Sequence, residues 1–232
     1  MLLVQRKIIP GVIALALWSN AGAAQVAPAA APQAGPREAE EAKRDDDALI
    51  RGAVLQYGSR AAASRALAGL GWDAFRRGAL DAAMERFRQS RILNPGNYQA
   101  YWGEGAVLNE RGKVREAIDQ LERARELIDD PKQRARLLAD LGALHSEYAV
   151  RLGEDRQLER ARHFVAANQR FTESAEADPG LGMSWREWAI SLYAQQRYEE
   201  AWTKAKRAQE LRAEPFPEQF LERLRAKVQR EP

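Results

Sequence analysis

The chain of 232 residues contains no cysteine and only two histidines. Without a thiol it can form no disulfide, offer no thiolate nucleophile and carry no lipid anchor of the bacterial lipoprotein type. It also has no glycine-rich phosphate loop, no His-Glu-x-x-His helix and no Gly-x-Ser-x-Gly turn. Adjacent carboxylates such as Glu199 and Glu200 point about 100° apart on a helix, so they form no acid–base pair. These absences argue against an enzyme, and we expect no cofactor and no metal.

The sequence also lacks a large excess of either positive or negative charge. The formal net charge is +3, and it falls to +1 when the N-terminal segment that carries Arg6 and Lys7 is left out. Basic and acidic side chains are interleaved elsewhere, as is typical of solvated helix faces. A nucleic-acid surface needs a basic excess on one side, so we expect no nucleic acid partner.

The N-terminal segment, 1–23, has the pattern of a secretory signal peptide. Arg6 and Lys7 precede an apolar stretch at residues 8–18, and small residues follow at 21–23. The apolar stretch is about half the length that spans a bilayer, and an uncleaved anchor is the alternative. We therefore expect a periplasmic protein with no membrane contact after cleavage, with secretion beyond the outer membrane as a second possibility.

A step of 34 residues recurs along the rest of the chain. It separates Gly71 from Gly105, Gly78 from Gly112, and Ala83 from Ala117. A period of this length with small residues at fixed offsets indicates stacked helix pairs, which need only neighbour contacts, rather than one closed core. Abundant Ala, Arg, Glu and Leu agree with an all-helical chain.

These units resemble the tetratricopeptide repeat (TPR) family. The first unit has Leu70-Gly71, then Ala83 and Phe87, then Pro95, which follow the family's Leu-Gly, Ala-x-x-x-Phe and closing proline. The second carries Glu104 where the family prefers leucine. The resemblance implies an all-α, right-handed superhelical solenoid of about four helix-turn-helix units with a C-terminal capping helix. The predicted divisions are 1–23 (signal peptide), 24–44 (flexible Ala/Pro-rich and charged linker), 45–63 (N-terminal helical segment), 64–97, 98–131, 135–181 and 182–215 (the four repeats) and 216–232 (capping helix).

The third repeat is longer than the others. Ala117 and Ala167 are 50 residues apart, which is 16 more than the period. Three of these lie at 130–133. The other 13 lie between Gly142 and Ala167, a stretch that contains no proline. About two extra turns on each helix of the pair would take up this added length, so we predict a projecting hairpin.

The resemblance also implies a binding groove, because the first helices of TPR units line a concave face. Helical spacing places on that face the candidate partner-binding residues Trp72, Phe75, Arg76, Trp102, Asn109, Arg136, Arg186 and Tyr193. Aromatic and arginine side chains are typical of binding hot spots. The alternative is that these aromatic rings pack between adjacent helices. Trp185, Trp188 and Trp202 are predicted to belong to the core.

The sequence favours binding over catalysis. His145 is predicted to pack in the core and His163 to lie on the surface. The function predicted is a non-catalytic periplasmic scaffold or adaptor that holds a segment of another envelope protein and assists assembly of a secretion, pilus or cell-wall machine. A chaperone-like carrier of exported polypeptides is the alternative, and an enzyme with an unrecognised site is a remote one.

Overall fold

The structure is a computed structural model that describes residues 36–229. The predicted signal peptide and residues 24–35 of the predicted linker lie outside this range. Within it the chain forms ten α-helices and no β-strand. None of these helices has the length and apolar character needed to cross a membrane.

Eight of the ten helices form four hairpin pairs. The helices are α1 (Pro36–Tyr57), α2 (Arg60–Arg76), α3 (Leu80–Leu93), α4 (Tyr98–Glu110), α5 (Val114–Leu127), α6 (Pro131–Arg151), α7 (Gln157–Ala177), α8 (Gly182–Ala194), α9 (Tyr198–Glu210) and α10 (Phe220–Val228). Helix α2 pairs with α3, α4 with α5, α6 with α7, and α8 with α9, and each pair packs on the next. This is the predicted all-α solenoid.

In each of the first two pairs, a glycine turn connects the two helices. Gly78 and Gly112 have φ angles of +74° and +76°, a left-handed conformation that glycine adopts without a steric penalty. In the fourth pair Gln196 lies at the equivalent position with φ of +62°.

Small residues bring the paired helices close together. A Cβ on Gly71 would lie 2.6 Å from the ring of Phe87, and one on Gly105 would lie 2.1 Å from Leu121. Ala83, Ala117, Ala167 and Ala201 are fully buried at the matching positions of the second helices. The role predicted for the recurring glycines and alanines is thus confirmed.

The structure explains why Glu104 replaces the family's leucine. Its carboxylate is buried and accepts a hydrogen bond of 2.9 Å from Nε of Arg91. Arg91 lies on α3 and Glu104 on α4, so the ion pair joins the first helix pair to the second.

The N-terminal helix is longer than predicted. Helix α1 begins at Pro36 and includes residues 36–44, which were assigned to the flexible linker. This stretch is rich in helix-forming Ala, Glu, Lys and Arg, and Arg44 lies 3.9 Å from Glu40 one turn away. Ala53 packs with Ala63 and Leu67 of α2. Ser59 caps α2, accepting a hydrogen bond from the backbone N–H of Ala62 at 3.1 Å.

The third pair is the predicted long hairpin, with its extra residues distributed differently. Helices α6 and α7 have 21 residues each, compared with 13 in α4 and 14 in α5. Matching the repeats shows that α6 gains about one turn at the hairpin tip and α7 about two. Pro131, the last residue of the predicted second repeat (98–131), is instead the first residue of α6.

The capping helix is present. Helix α10 buries Phe220 and Leu224 against the last helix pair, in a cluster that also contains Ala201 and Ala205 of α9. A left-handed residue, Gln219 at φ of +61°, precedes it. The apolar end of the solenoid is therefore covered.

Candidate functional site

The first helices of the four pairs, α2, α4, α6 and α8, form one face of the solenoid, which we call the inner face. The repeat spacing places three rows of equivalent positions across it. The rows are Ala68, Trp102, Ala139 and Arg186; Trp72, Ala106, Ala143 and Ile190; and Phe75, Asn109, Ser146 and Tyr193.

Three of the candidate aromatic residues meet at the N-terminal end of this face. The ring of Trp72 lies 5.7 Å from that of Phe75 and 6.2 Å from that of Trp102, in edge-to-face contacts. Phe75 and Trp102 are only 6% and 7% exposed, whereas Trp72 is partly exposed. Phe75 and Trp102 thus pack between helices, which was the alternative interpretation. A role of this cluster in holding a partner stays a prediction.

Trp102 connects this cluster to a buried acid. Its Nε1 donates a hydrogen bond of 2.9 Å to Oδ2 of Asp140 on α6. Asp140 is 3% exposed, and burial raises its pKa to about 7. The hydrogen bond from Trp102 and the charge of Arg136 oppose that rise, while Glu187 adds to it.

Glu187 on α8 is a second buried acid. It is 3% exposed, and its Oε1 accepts a hydrogen bond from Arg186, while its Oε2 has no partner among the described residues. Burial raises its pKa to about 7 despite the charge of Arg186. Burial thus favours the protonated form of each of these carboxyl groups, which can donate a hydrogen bond.

The three candidate arginines have different environments. Arg76 is exposed and pairs with Asp73 on its own helix. Arg136 is exposed and forms no ion pair within residues 36–229, so its guanidinium can bind a ligand. Arg186 is held in place: its Nε donates to the carbonyl of Pro215 at 3.2 Å, and it lies over the ring of Phe216.

Asn109 and Tyr193 lie in different parts of the inner face. Asn109 is partly buried, and its Oδ1 has no hydrogen-bond partner within the described range. The ring of Tyr193 packs 5.5 Å from Tyr198 and 5.4 Å from Phe220 at the C-terminal end. The structure therefore groups Trp72, Phe75 and Trp102 at one end of the face, and Arg186 and Tyr193 at the other.

The tryptophans predicted to be core residues are partly buried. The ring of Trp188 stacks 6.1 Å from Phe171 and 5.8 Å from Trp185. Nζ of Lys204 lies 3.8 Å from the centroid of Trp188. Trp202 lies beneath Arg225 of the capping helix.

The two histidines form a pair that the sequence did not reveal. Nδ1 of His145 lies 2.9 Å from Nδ1 of His163, across the long hairpin. His145 is buried, as predicted, but His163 is half-buried rather than on the surface because it packs beside Tyr148. Burial, helped by the neighbouring His145, lowers the pKa of His163. The two histidines lie on different helices, so no helical spacing relates them, and only the predicted hairpin could have suggested the contact.

A charged network lies next to this pair. Glu122 of α5 accepts hydrogen bonds from Arg125 at 2.6 Å and from Arg170 of α7 at 3.0 Å. Burial opposes ionisation of Glu122, but the adjacent ring of His145, whose Nε2 lies 4.0 Å from Oε1 of Glu122, and the two arginines hold its pKa at about 2. No group of three His, Cys, Asp or Glu side chains in residues 36–229 is arranged to hold a metal ion.

Comparison with known proteins gives matches in structure only. No protein-family model and no curated protein sequence matches the chain. The crystal structure of the APC/C hetero-tetramer Cut9–Hcn1 is similar with a TM-score of 0.54 and 15% identity, over 73% of this chain and 29% of that one. The crystal structure of MamA has a TM-score of 0.51 and 19% identity, over 77% of this chain and 95% of that one.

A third similar structure is that of PilF from Pseudomonas aeruginosa. It has a TM-score of 0.52 and 18% identity, over 75% of this chain and 79% of that one. This chain thus spans less than a third of the Cut9–Hcn1 chain but most of MamA and PilF. Identities this low carry information about fold only. The chain has the fold of a TPR solenoid.

Proposed function

We propose that this protein is an exported, non-catalytic adaptor that holds a segment of another cell-envelope protein against its inner face. The observation that carries the proposal is the inner face itself, where four helices present the partly exposed Trp72 and the guanidinium of Arg136, which is unpaired among residues 36–229. Aromatic and arginine side chains are the usual anchors of protein interfaces. The signal-peptide pattern of residues 1–23 supports export.

The partner is proposed to be a component of an envelope assembly such as a secretion, pilus or cell-wall machine. A solenoid of four pairs offers one extended face, which suits a single extended or helical segment.

Cross-linking in the source cells tests this proposal. A photoreactive amino acid at Arg136 should capture one stable partner, and the same group at Lys206, an exposed residue of α9, should not. Arg65 and Arg136 are both exposed without ion pairs within residues 36–229, so Arg65→Ala with Arg136→Ala should weaken capture while leaving the melting temperature unchanged. Lys206→Ala is the matched control.

The outcomes separate the alternatives. Many unrelated products from position 136 would favour a chaperone-like carrier over an adaptor. Equal capture from both positions would contradict the inner face as the binding site. A fusion of residues 1–35 to a periplasm-dependent reporter enzyme should be active, and an inactive fusion would remove export from the proposal.

A further inference from the structure

The long hairpin extends past both of its neighbours. Matching Ala117, Ala167 and Ala201 shows that residues 157–163 of α7 have no counterpart in α5 or α9. Residues 148–151 of α6 likewise pass the ends of α4 and α8. Adjacent repeats therefore cannot cover this tip, and its outer side chains face solvent.

Contacts within and at the base of the tip attach it to the solenoid. Arg151 bonds to Glu147 and donates to the carbonyl of Gly112 at 3.3 Å. Leu152 is 8% exposed, and the ring of Tyr148 packs 4.6 Å from that of His163. The exposed apolar groups are thus presented on an ordered helix.

One face of α7 exposes apolar side chains at helical spacing. Leu158 is 67% exposed and Val165 68% exposed, and Ala161 lies exposed between them. Arg162 belongs to the same face. We call these four residues the α7 stripe. They lie opposite the residues that α7 buries in the solenoid, Ala167, Phe171 and Ser174.

The one charged side chain within the stripe, Arg162, is positive. Arg162 forms no ion pair within residues 36–229, and neither does Arg115, which occupies the position on α5 equivalent to Val165. The nearest carboxylate on α7 that could neutralise the stripe, Glu159, is already bonded to Arg156. A ligand that buries the two apolar side chains therefore also meets the guanidinium of Arg162.

This charge argues against a second copy of the chain. Pairing two α7 stripes about their centre would place Arg162 of one copy close to Arg162 of the other. The stripe is also only two helical turns long. Its area is therefore far below the roughly 800 Å² that each partner buries in a standard interface. A short segment of opposite charge fits better.

We propose that the α7 stripe binds an acidic amphipathic helix of another protein. Its apolar side chains would pack between Leu158, Ala161 and Val165 as ridges enter grooves, and a carboxylate would bind Arg162. The surface is separate from the inner face, so the protein can hold two partners at once.

Binding of a synthetic peptide to the full chain tests this inference. The probe is a fluorescein-labelled helical peptide with leucine at every third and fourth position and glutamate elsewhere, followed by fluorescence anisotropy. Leu158→Asp and Val165→Thr should each weaken binding about tenfold. Leu55→Asp is the matched control, because Leu55 is a 90% exposed leucine on α1. All three side chains are exposed, so melting temperatures should stay unchanged.

Charge reversal gives the second arm. The same peptide with lysine for glutamate should bind the wild type weakly, and Arg162→Glu should reverse that preference. Equal binding of the two peptides would overturn the proposal, as would full affinity in Leu158→Asp. A dimer of the full chain that Leu158→Asp dissociates would show a second copy as the occupant and also overturn it.

Discussion

The indole N–H of Trp102 donates to the carboxyl group of Asp140 at 2.9 Å, and this hydrogen bond joins the second helix pair to the third. Trp102→Phe keeps most of the ring but leaves a buried carboxyl group without its donor. We expect the free energy of unfolding to fall by about 1–3 kcal/mol. Urea denaturation followed by circular dichroism measures the change.

A double-mutant cycle separates the hydrogen bond from the packing. Trp102→Phe combined with Asp140→Leu removes both polar partners and should be more stable than Trp102→Phe alone. If the double variant loses the sum of the two single losses, the hydrogen bond contributes nothing.

The two buried acids predict a stability that depends on pH. Burial raises the pKa of Asp140 and of Glu187 to about 7. Their stabilising contribution is complete below about pH 4, the range of an unfolded carboxyl group, and is lost as the pH rises through about 7. The melting temperature of Glu187→Gln should therefore gain on that of the wild type by a few degrees between about pH 5 and about pH 8.

Glu122→Gln serves as the control for this pH series. The pKa of Glu122 is held at about 2, so its contribution is constant over the same range. His163, whose pKa burial lowers, acts in the opposite direction below about pH 6.5 in every variant, and it cancels in the difference. A difference between Glu187→Gln and wild type that does not change with pH would contradict the assignment.

Two glycines of neighbouring helices should respond oppositely to alanine. A methyl group on Gly103 would overlap the buried ring of Phe87 at 2.2 Å, whereas nothing lies within 4 Å of one on Gly69. Gly103→Ala should lower the free energy of unfolding by about 1–3 kcal/mol through overpacking. Gly69→Ala should raise it by about 0.5–1 kcal/mol, because alanine favours the helix. Thermal melts of the two variants make a direct comparison.

The turn of the fourth pair offers a stabilising substitution. Gln196 has a φ of +62° where the first two pairs have Gly78 and Gly112. A side chain in this conformation costs about 1–2 kcal/mol, so Gln196→Gly should raise the melting temperature. Gln195→Gly, one residue away, is the control and should not. A loss of stability in Gln196→Gly would show that the side chain makes an offsetting contact.

The tip of the long hairpin should be dispensable for folding. Residues 148–163 can be replaced with Arg-Gly-Lys, the turn of residues 111–113. The third hairpin then closes as the second one does, with glycine at the left-handed position. We expect the helical solenoid to remain, with a free energy of unfolding lower by about 1–3 kcal/mol because the histidine pair is lost. Far-ultraviolet circular dichroism and a thermal melt report the outcome. Cooperative unfolding of the fourth pair along with the tip would contradict it.

The sequence predicted the helix pairs well because their signal is local and repeated. Glycine and alanine at a fixed step mark where two helices touch, and Gly71, Gly78 and Ala83 identify one such pair completely. The excess length between Gly142 and Ala167 predicted the long hairpin for the same reason. The length of helix α1 was not predicted, because residues 36–44 have the low hydrophobicity of a linker. Their high helix propensity nevertheless makes them helical.

The site was less accessible to prediction from sequence. Helical spacing relates Trp102 to the equivalent positions of the other repeats, but it cannot tell that Asp140, 38 residues later, accepts from its ring. The ion pair of Arg91 with Glu104 and the contact of His145 with His163 are hidden in the same way. Each depends on how closely two units approach, which a period does not specify.

The extra length of the third pair also obeys the pitch of the α-helix. Four residues added to α6 and seven to α7 rotate the helix ends by about 40° beyond one full turn and about 20° short of two. Each lengthened helix therefore ends facing nearly the same direction as the corresponding helix of a shorter pair. The five residues between α6 and α7 are then enough to connect them. An insertion of two residues in either helix would have turned its end to the far side. Viable lengths for such a hairpin therefore come in discrete steps, and chains that lengthen this element should differ by near-integral numbers of turns.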